Sequence, residues 1–321
     1  MKAMLLAAGL GTRMAPLARA HAKPALPVLD VPVVLRMVRS LAAQGVTRVV
    51  VNTHAHPASL RSALADSPLP IDWVEEPELR GSGGGVRGAR AALAGDEPFL
   101  VLNGDMCLDL DVAGLVARHR ARGALITLAL RDDSRKREFG SIGYDSDGDV
   151  RRITQRIDRS GEKGSGLFIG VQVMEPTIFA RMPVSERFEI IPEVWVPVLA
   201  SGGRIASFLQ APGARWWPVG SPAELLDANL AELGAVAAEA GALVAPSASV
   251  GGELVAPVWV GADAVVEPGA RVGPHAVVSR AARIGAGARI EHSLALPDAR
   301  VAAGARLSRA VAFADEVWRD G

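Results

Sequence analysis

The sequence predicts an α/β protein in two parts, a Rossmann-like, mainly parallel sheet domain followed by a left-handed parallel β-helix. Three observations predict it. Apolar runs alternate with amphipathic stretches through the first 110 residues. Glycine-rich or acidic segments fall where strands of that stretch should end. Aliphatic residues then recur every six positions from Leu254 to Leu296. The length, 321 residues, also exceeds what one core comfortably serves, so two domains are expected.

Residues 2–7, 46–52, 71–74 and 99–102 read as strands, with helices over 33–43, 57–65 and 86–94 between them. That order gives a mainly parallel sheet covered on both faces, with ligands at the carboxyl ends of its strands. Residues 9–13, 81–85 and 104–105 occupy those ends. From about residue 124 the pattern loosens into short β-like runs at 125–130, 141–144, 150–154 and 168–174, and a helix is expected over 222–240.

In the tail, Leu254, Val260, Val266, Val272, Val278, Ile284, Ile290 and Leu296 stand six apart without a break. Val258, Ala264, Ala270, Ala276, Ala282 and Ala288 lie between them. An α-helix cannot bury such a period, whereas a three-sided coil turns a corner every six residues and stacks the aliphatics inside. Val244 and Val250 keep the phase before a four-residue slip, and Val301 and Leu307 follow a five-residue slip after Leu296. The domains expected are therefore 1–232, a helical linker 233–242, and the β-helix 243–321.

Hydrophobic residues at 49% and charged residues at 22% exclude global disorder. Lys plus Arg and Asp plus Glu are both 35, so no whole-molecule field draws the chain to nucleic acid or to an anionic membrane. Cys107 is the only cysteine. Neither an internal disulfide nor a Cys-based zinc cluster is possible, which suits a reducing, cytoplasmic setting. The apolar start is broken by Gly9, Gly11 and Arg13 and makes a poor signal peptide. No run approaches the roughly 18–20 apolar residues of a membrane helix.

The chemistry concentrates in Leu6-Ala-Ala-Gly-Leu-Gly-Thr-Arg-Met-Ala-Pro16, followed by Lys23-Pro24. A glycine-rich turn after a strand lets peptide N–H groups approach phosphates, and Arg13 and Lys23 supply positive charge. The string is neither a Walker A loop nor a dinucleotide fingerprint. Asp105, at a strand end in Val101-Leu-Asn-Gly-Asp, suits Mg²⁺, which in phosphoryl chemistry takes one or two carboxylates plus phosphate oxygens and water. Tyr144, Cys107 and His119 read as structural residues.

The GxGTRxxP string with its later KP resembles the sugar-1-phosphate nucleotidylyltransferases, among them mannose-1-phosphate guanylyltransferases and N-acetylmuramate-1-phosphate uridylyltransferases. The resemblance implies transfer of a nucleotidyl group from an NTP to a sugar 1-phosphate, with GTP and mannose 1-phosphate the leading pair. It implies Arg13 on the β- and γ-phosphates and Lys23 near the α-phosphate. Nucleotide contacts would come from Ala8, Gly9, Gly11, Thr12 and Gly104, and from Gly83 and Gly84 in a second glycine loop that reads the base. Asp105 would hold Mg²⁺. Gln155 and Arg156, in place of the family's Glu-Lys pair, would face the sugar phosphate, and Gly170 would admit the hexose.

One departure stands out. In Trp216-Trp-Pro-Val-Gly-Ser-Pro222, Pro218 occupies the place of the family's second metal-binding Asp. A catalytically weak subunit that binds NDP-sugar and partners an active paralogue is therefore the alternative. The tail implies homo-oligomers, or hetero-oligomers with such a paralogue. His275 and His292, the only histidines among the repeats, keep a bifunctional uridylyl- and acetyltransferase as the lesser alternative, although single corner histidines are commonly solvated.

Overall fold

The computed structural model describes residues 1–19, 21–136, 140–238 and 241–320. The chain divides into two compact units. One comprises Met1–Leu10 and Val34–Trp216, the other Gly11–Val33 and Trp217–Gly321.

A ten-stranded mixed sheet organises the first unit. Ile71–Glu75, Arg48–Thr53, Lys2–Leu6 and Phe99–Asn103 lie side by side and parallel in that order. Gly164–Met174 pairs antiparallel with Phe99–Asn103 and with Ile126–Arg131, and Ile205–Leu209 runs parallel to Ile126–Arg131. Strands covered on both faces read as continuous apolar runs. Ala3, Met4 and Leu5, like Val49, Val50 and Val51, are accordingly wholly buried. Helix Val33–Ala43 turns Val34, Val38 and Leu41 inward at spacings of four and three, the apolar stripe of a helix on a sheet.

Residues 81–85 depart from expectation. They open the helix Gly81–Gly88 instead of forming a loop. Helical glycine costs about 1 kcal/mol relative to alanine, and tertiary packing overrides that cost here. A Cβ on Gly83 would lie 2.3 Å from the Phe188 ring, and one on Gly84 would lie 2.2 Å from the Glu186 carbonyl oxygen. Only glycine lets this helix approach the 186–190 segment so closely.

His119 is fully buried, with Nδ1 2.8 Å from Thr127 Oγ1 and Nε2 3.1 Å from Glu175 Oε1. Burial lowers its pKa below the usual histidine value, against the opposing pull of Glu175.

In the second unit the six-residue period becomes three parallel sheets stacked coil on coil. Val260, Val266, Val272, Val278, Ile284 and Ile290 line the interior at no more than 1% exposure. Val258 pairs with Ala276 and Ala276 with Ser293, so successive coils take 18 and then 17 residues. The early slip falls where expected, with Val250 opposite Val266 and Leu254 opposite Val272. The later slip comes sooner than the sequence suggests. Ala295, not Leu296, stands opposite Val278, because the chain drops a residue near His292, whose φ is 45°. His275 and His292 stack on each other, ring centroids 4.9 Å apart.

Helix Pro222–Ala237 packs along the outward face of the largest of these sheets. Ser221 Oγ accepts the Glu224 N–H while the Glu224 carboxylate accepts the Gly220 N–H, a reciprocal cap that starts the helix. Residues 239 and 240, the end of the helix as expected from sequence, lie outside the described residues. At its far end Ala310–Phe313 folds back antiparallel onto Glu316–Arg319. Among the described residues no helix is long and apolar enough to cross a membrane.

Arg271, Arg289 and Arg306 stand directly opposite one another on successive coils and are exposed. Facing like charges destabilise a sheet. We expect Arg289→Glu to stabilise the fold by about 0.5 kcal/mol for each opposite-charge neighbour gained, seen as a higher thermal midpoint, with the gain shrinking as salt is added. A midpoint unchanged at low salt would contradict this. The lowered His119 pKa makes a second expectation. The folded state binds fewer protons than the unfolded chain here, so the contribution is complete above the unfolded value near 6.5 and is lost as pH falls through the folded pKa. Unfolding titrations of the protein and of His119→Gln should diverge below about pH 6.5, the variant losing less stability on acidification.

Candidate active site

Strand Lys2–Leu6 delivers residues 7–10 at its carboxyl end, and the turn is tied down by a buried relay. The Ala7 N–H donates to Asn52 Oδ1 at 2.8 Å, Asn52 Nδ2 donates to Glu76 Oε1 at 2.7 Å, and the Arg80 N–H donates to Glu76 Oε2 at 3.0 Å. Asn52 and Glu76 are each 3% exposed. A buried carboxylate is tolerated only when its oxygens are satisfied, and this one has a donor on each. Beyond the anchored Ala7, the N–H groups of Gly9, Leu10, Gly11 and Thr12 have no hydrogen-bond partner among the described residues. Gly11 takes a left-handed φ of 64° and opens the turn Thr12–Met14. Peptide N–H groups left open in a glycine-rich turn after a strand are the kind of donor an anion takes.

Within the first unit a cavity of about 380 Å³ opens at Ala8 and Gly9. Leu6, Asn52, Glu76, Asn103 and Asp105 line it, as do Ser82, Arg187 and Glu189. Ala8, Gly9 and Asp105, singled out from the sequence, therefore come together here. Gly104 stands behind Asp105, where its N–H donates to the Leu6 carbonyl at 2.9 Å and a Cβ would press on the same oxygen. Gly170, at φ 79°, leaves room for Asn103, whose Nδ2 would be 2.8 Å from a Cβ there.

Other candidates sit elsewhere. Gly83 and Gly84 are packed against the 186–190 segment, and their N–H groups donate to the Phe188 carbonyl at 3.0 and 3.1 Å. Gln155 and Arg156 are exposed in the turn between Val150–Ile153 and Ile157–Asp158 and are not among the cavity-lining residues. In the second unit, Lys23 opens the turn Lys23–Ala25 with its Cβ 3.5 Å from the place a Gly11 Cβ would take. The Arg13 guanidinium similarly lies 3.1 Å from where a Gly220 Cβ would be. Pro218 ends the strand Trp216–Pro218 and offers no ligand.

The motifs do not pick out Asn52, Glu76 or Asn103, although each stands at or just past the end of a parallel strand, where the strand-end rule directs attention. Arg187 and Glu189 arrive from a segment without any motif. Ser82 donates to Glu189 through both its hydroxyl and its N–H, which joins that segment to the glycine helix. The strand Gly164–Met174 is buttressed by Trp216, whose Nε1 donates to the Ile169 carbonyl at 3.2 Å and whose ring carries the Arg135 guanidinium at 4.7 Å. Hydrogen bonds from that guanidinium hold the Asp133 carboxyl down at about 2.

For a divalent metal the donor set is thin. Asp105 provides a carboxylate on the cavity wall, and no group of three or more His, Cys, Asp or Glu side chains able to enclose an ion occurs among the described residues. That fits an ion carried largely by substrate phosphates and water, and not a resident metal cage.

Two alanine substitutions test the relay. A Cβ on Gly85 would lie 2.7 Å from Asn52 Nδ2 and 3.0 Å from Glu76 Oε1, whereas one on Gly9 meets nothing within 4 Å. We expect Gly85→Ala to cost about 1–3 kcal/mol in chemical denaturation and Gly9→Ala to stay within about 0.5 kcal/mol of the parent. Equal stabilities would show that the relay tolerates a shift.

Comparison with known proteins shows the family and the fold. The nucleotidyl transferase family model matches residues 2–233. The mannose-1-phosphate guanylyltransferase of Mycobacterium tuberculosis is 28% identical over 90% of this chain and 78% of its own length. The mannose-1-phosphate guanyltransferase of Aspergillus oryzae is 29% identical over 85% and 73%. HddC from Yersinia pseudotuberculosis, solved with GMP-PN, shares the fold at TM-score 0.58 and 21% identity, covering 71% of this chain and 97% of its own. A putative glucose-1-phosphate thymidylyltransferase from Bacillus anthracis does so at TM-score 0.60 and 17% identity, covering 71% and 94%. With the family model matching most of its length, the chain belongs to the nucleotidyl transferase family.

Proposed function

We propose that the chain transfers a guanylyl group from GTP to mannose 1-phosphate, giving GDP-mannose and pyrophosphate, with Mg²⁺ as cofactor. The observation that carries this reading is the run of open N–H groups from Gly9 to Thr12 at the end of a parallel strand whose cavity holds Asp105. Support for the substrate pair comes from the guanylyltransferase relatives, alignable along 85–90% of the chain.

In this reading the open N–H groups take phosphate oxygens, while Arg13 and Lys23, on the continuation of the same loop, balance the triphosphate charge. The attacking oxygen is the sugar's own phosphate, so no protein nucleophile is required. Asp105 would hold Mg²⁺, which when bound neutralises phosphate charge. Gly104 and Gly170 allow close packing around Asp105 and Asn103, and Gln155 and Arg156 would reach the sugar phosphate only from their exposed turn. Assembly through the solenoid is part of the proposal. Its first coil ends each of the three sheets on an edge strand and leaves Val244 and Val250 43% and 36% exposed. A cytoplasmic setting, where NTPs are abundant, completes it.

The test is pyrophosphate release with Mg²⁺ across four NTPs and several hexose 1-phosphates, alongside Lys23→Ala and Asp105→Ala. We expect one favoured pair, GTP with mannose 1-phosphate, and a fall of about 100-fold or more in each variant. Silence with every pair, while nucleotide or NDP-sugar still binds, would instead support the regulatory-subunit reading that Pro218 favours.

A further inference from the structure

The segment 11–33 carries Arg13 and Lys23 and ends in a two-residue hairpin. Pro27–Val28 and Val31–Pro32 pair antiparallel around Leu29 and Asp30, whose φ values are 46° and 63°. Two successive left-handed residues are what a type I′ turn demands, and Asn-Gly or Asp-Gly would supply them with less strain than Leu-Asp. A turn built from disfavoured residues persists only where its surroundings hold it.

The surroundings come from the rest of the second unit. The Leu29 N–H donates to Asn229 Oδ1 at 2.9 Å, and Asn229 Nδ2 donates to the Pro27 carbonyl at 3.2 Å and to the Leu225 carbonyl at 2.9 Å. Asn229 is fully buried. Asp30 Oδ2 accepts from Trp259 Nε1 at 2.9 Å, and Asp30 Oδ1 accepts from the Arg280 N–H at 2.9 Å. Trp259 and Arg280 belong to successive coils of the solenoid. Gly261 lies directly beneath, where a Cβ would be 2.2 Å from Asp30 Oδ2. The carboxylate thus enters a seat in which both its oxygens are paired and no side chain fits below.

From that seat the chain is braced back to Lys23. Val28 is wholly buried, and Leu26 and Pro24 are buried before it. The Val33 N–H donates to the Leu26 carbonyl at 3.0 Å, and the Leu26 N–H to the Lys23 carbonyl at 3.1 Å.

We propose that Asp30 and Asn229 are positioning residues for nucleotidyl transfer. Through Trp259, Gly261 and the Arg280 main chain, the solenoid fixes residues 22–33, the strap that presents Lys23. The repeat domain is then a structural part of the catalytic apparatus as well as a platform for assembly. The inference rests on the reading of Lys23 as a phosphate-binding group.

The test uses the full chain with Asp30→Gly, Asp30→Asn and Trp259→Phe. Glycine keeps the left-handed turn and deletes the carboxylate, asparagine keeps one acceptor, and phenylalanine keeps an aromatic ring without the N–H. Amide hydrogen exchange over residues 22–33 and steady-state kcat and KM are the readouts. In Asp30→Gly we expect exchange in the strap to accelerate about tenfold or more and kcat to fall about 10–100-fold, with KM for the sugar phosphate little changed. Asp30→Asn should recover part of both, and Trp259→Phe should match it. Unchanged exchange and unchanged kcat in Asp30→Gly and Trp259→Phe would overturn the proposal, as would faster exchange with full activity. If Asp30→Gly does not fold, Trp259→Phe decides by the same readouts. A parent protein silent with every substrate pair would defeat the parent reading, while exchange would still tell whether the solenoid holds the strap.

Discussion

Glu76 is a carboxylate withdrawn from water at the end of a parallel strand, and its two oxygens are satisfied by Asn52 and by the Arg80 N–H. Removing either donor would leave a buried carboxylate oxygen without its hydrogen bond, a cost of about 1–3 kcal/mol. The pair therefore dictates what surrounds it. Ala7 is fixed through Asn52, so the glycine loop leaves the strand in one direction with its following N–H groups open. Gly85 must lack a side chain because Asn52 and Glu76 fill its space, and the helix that begins at Gly81 can then pack against residues 186–190. Cavity, cradle and glycine helix follow from one satisfied polar relay.

The solenoid was legible because a six-residue period admits few other structures, and because its aliphatics are buried by the coil itself. Its later slip was not legible. Leu296 keeps the period and is hydrophobic, so sequence alone cannot show that the corner near His292 drops a residue and that Ala295 takes the interior place. The parallel strands were similarly plain from their unbroken apolar runs. The segment 81–85 misled because four glycines argue against a helix locally, whereas the close approach of Phe188 and Glu186 that requires them is made by residues a hundred positions away.

At the candidate site, Ala8, Gly9 and Asp105 were readable because short motifs report strand ends. Asn52 and Glu76 could have been read by the same rule, but Arg187 and Glu189 could not, since nothing local marks a segment that folds across the cavity. The hold of the solenoid on the strap was equally hidden. It depends on Asp30, Asn229, Trp259 and Gly261, four residues scattered through the chain that form no pattern until the coils bring them together. The division between the two compact units falls between Leu10 and Gly11, inside the glycine-rich turn.

The measurement that bears most directly on the account is the fate of the α-phosphorus. With GTP labelled at that atom, mannose 1-phosphate and Mg²⁺, the account requires the label to appear in GDP-mannose as unlabelled pyrophosphate is released. Label that stays in GTP, or that appears in GMP or GDP without any sugar nucleotide, would contradict it.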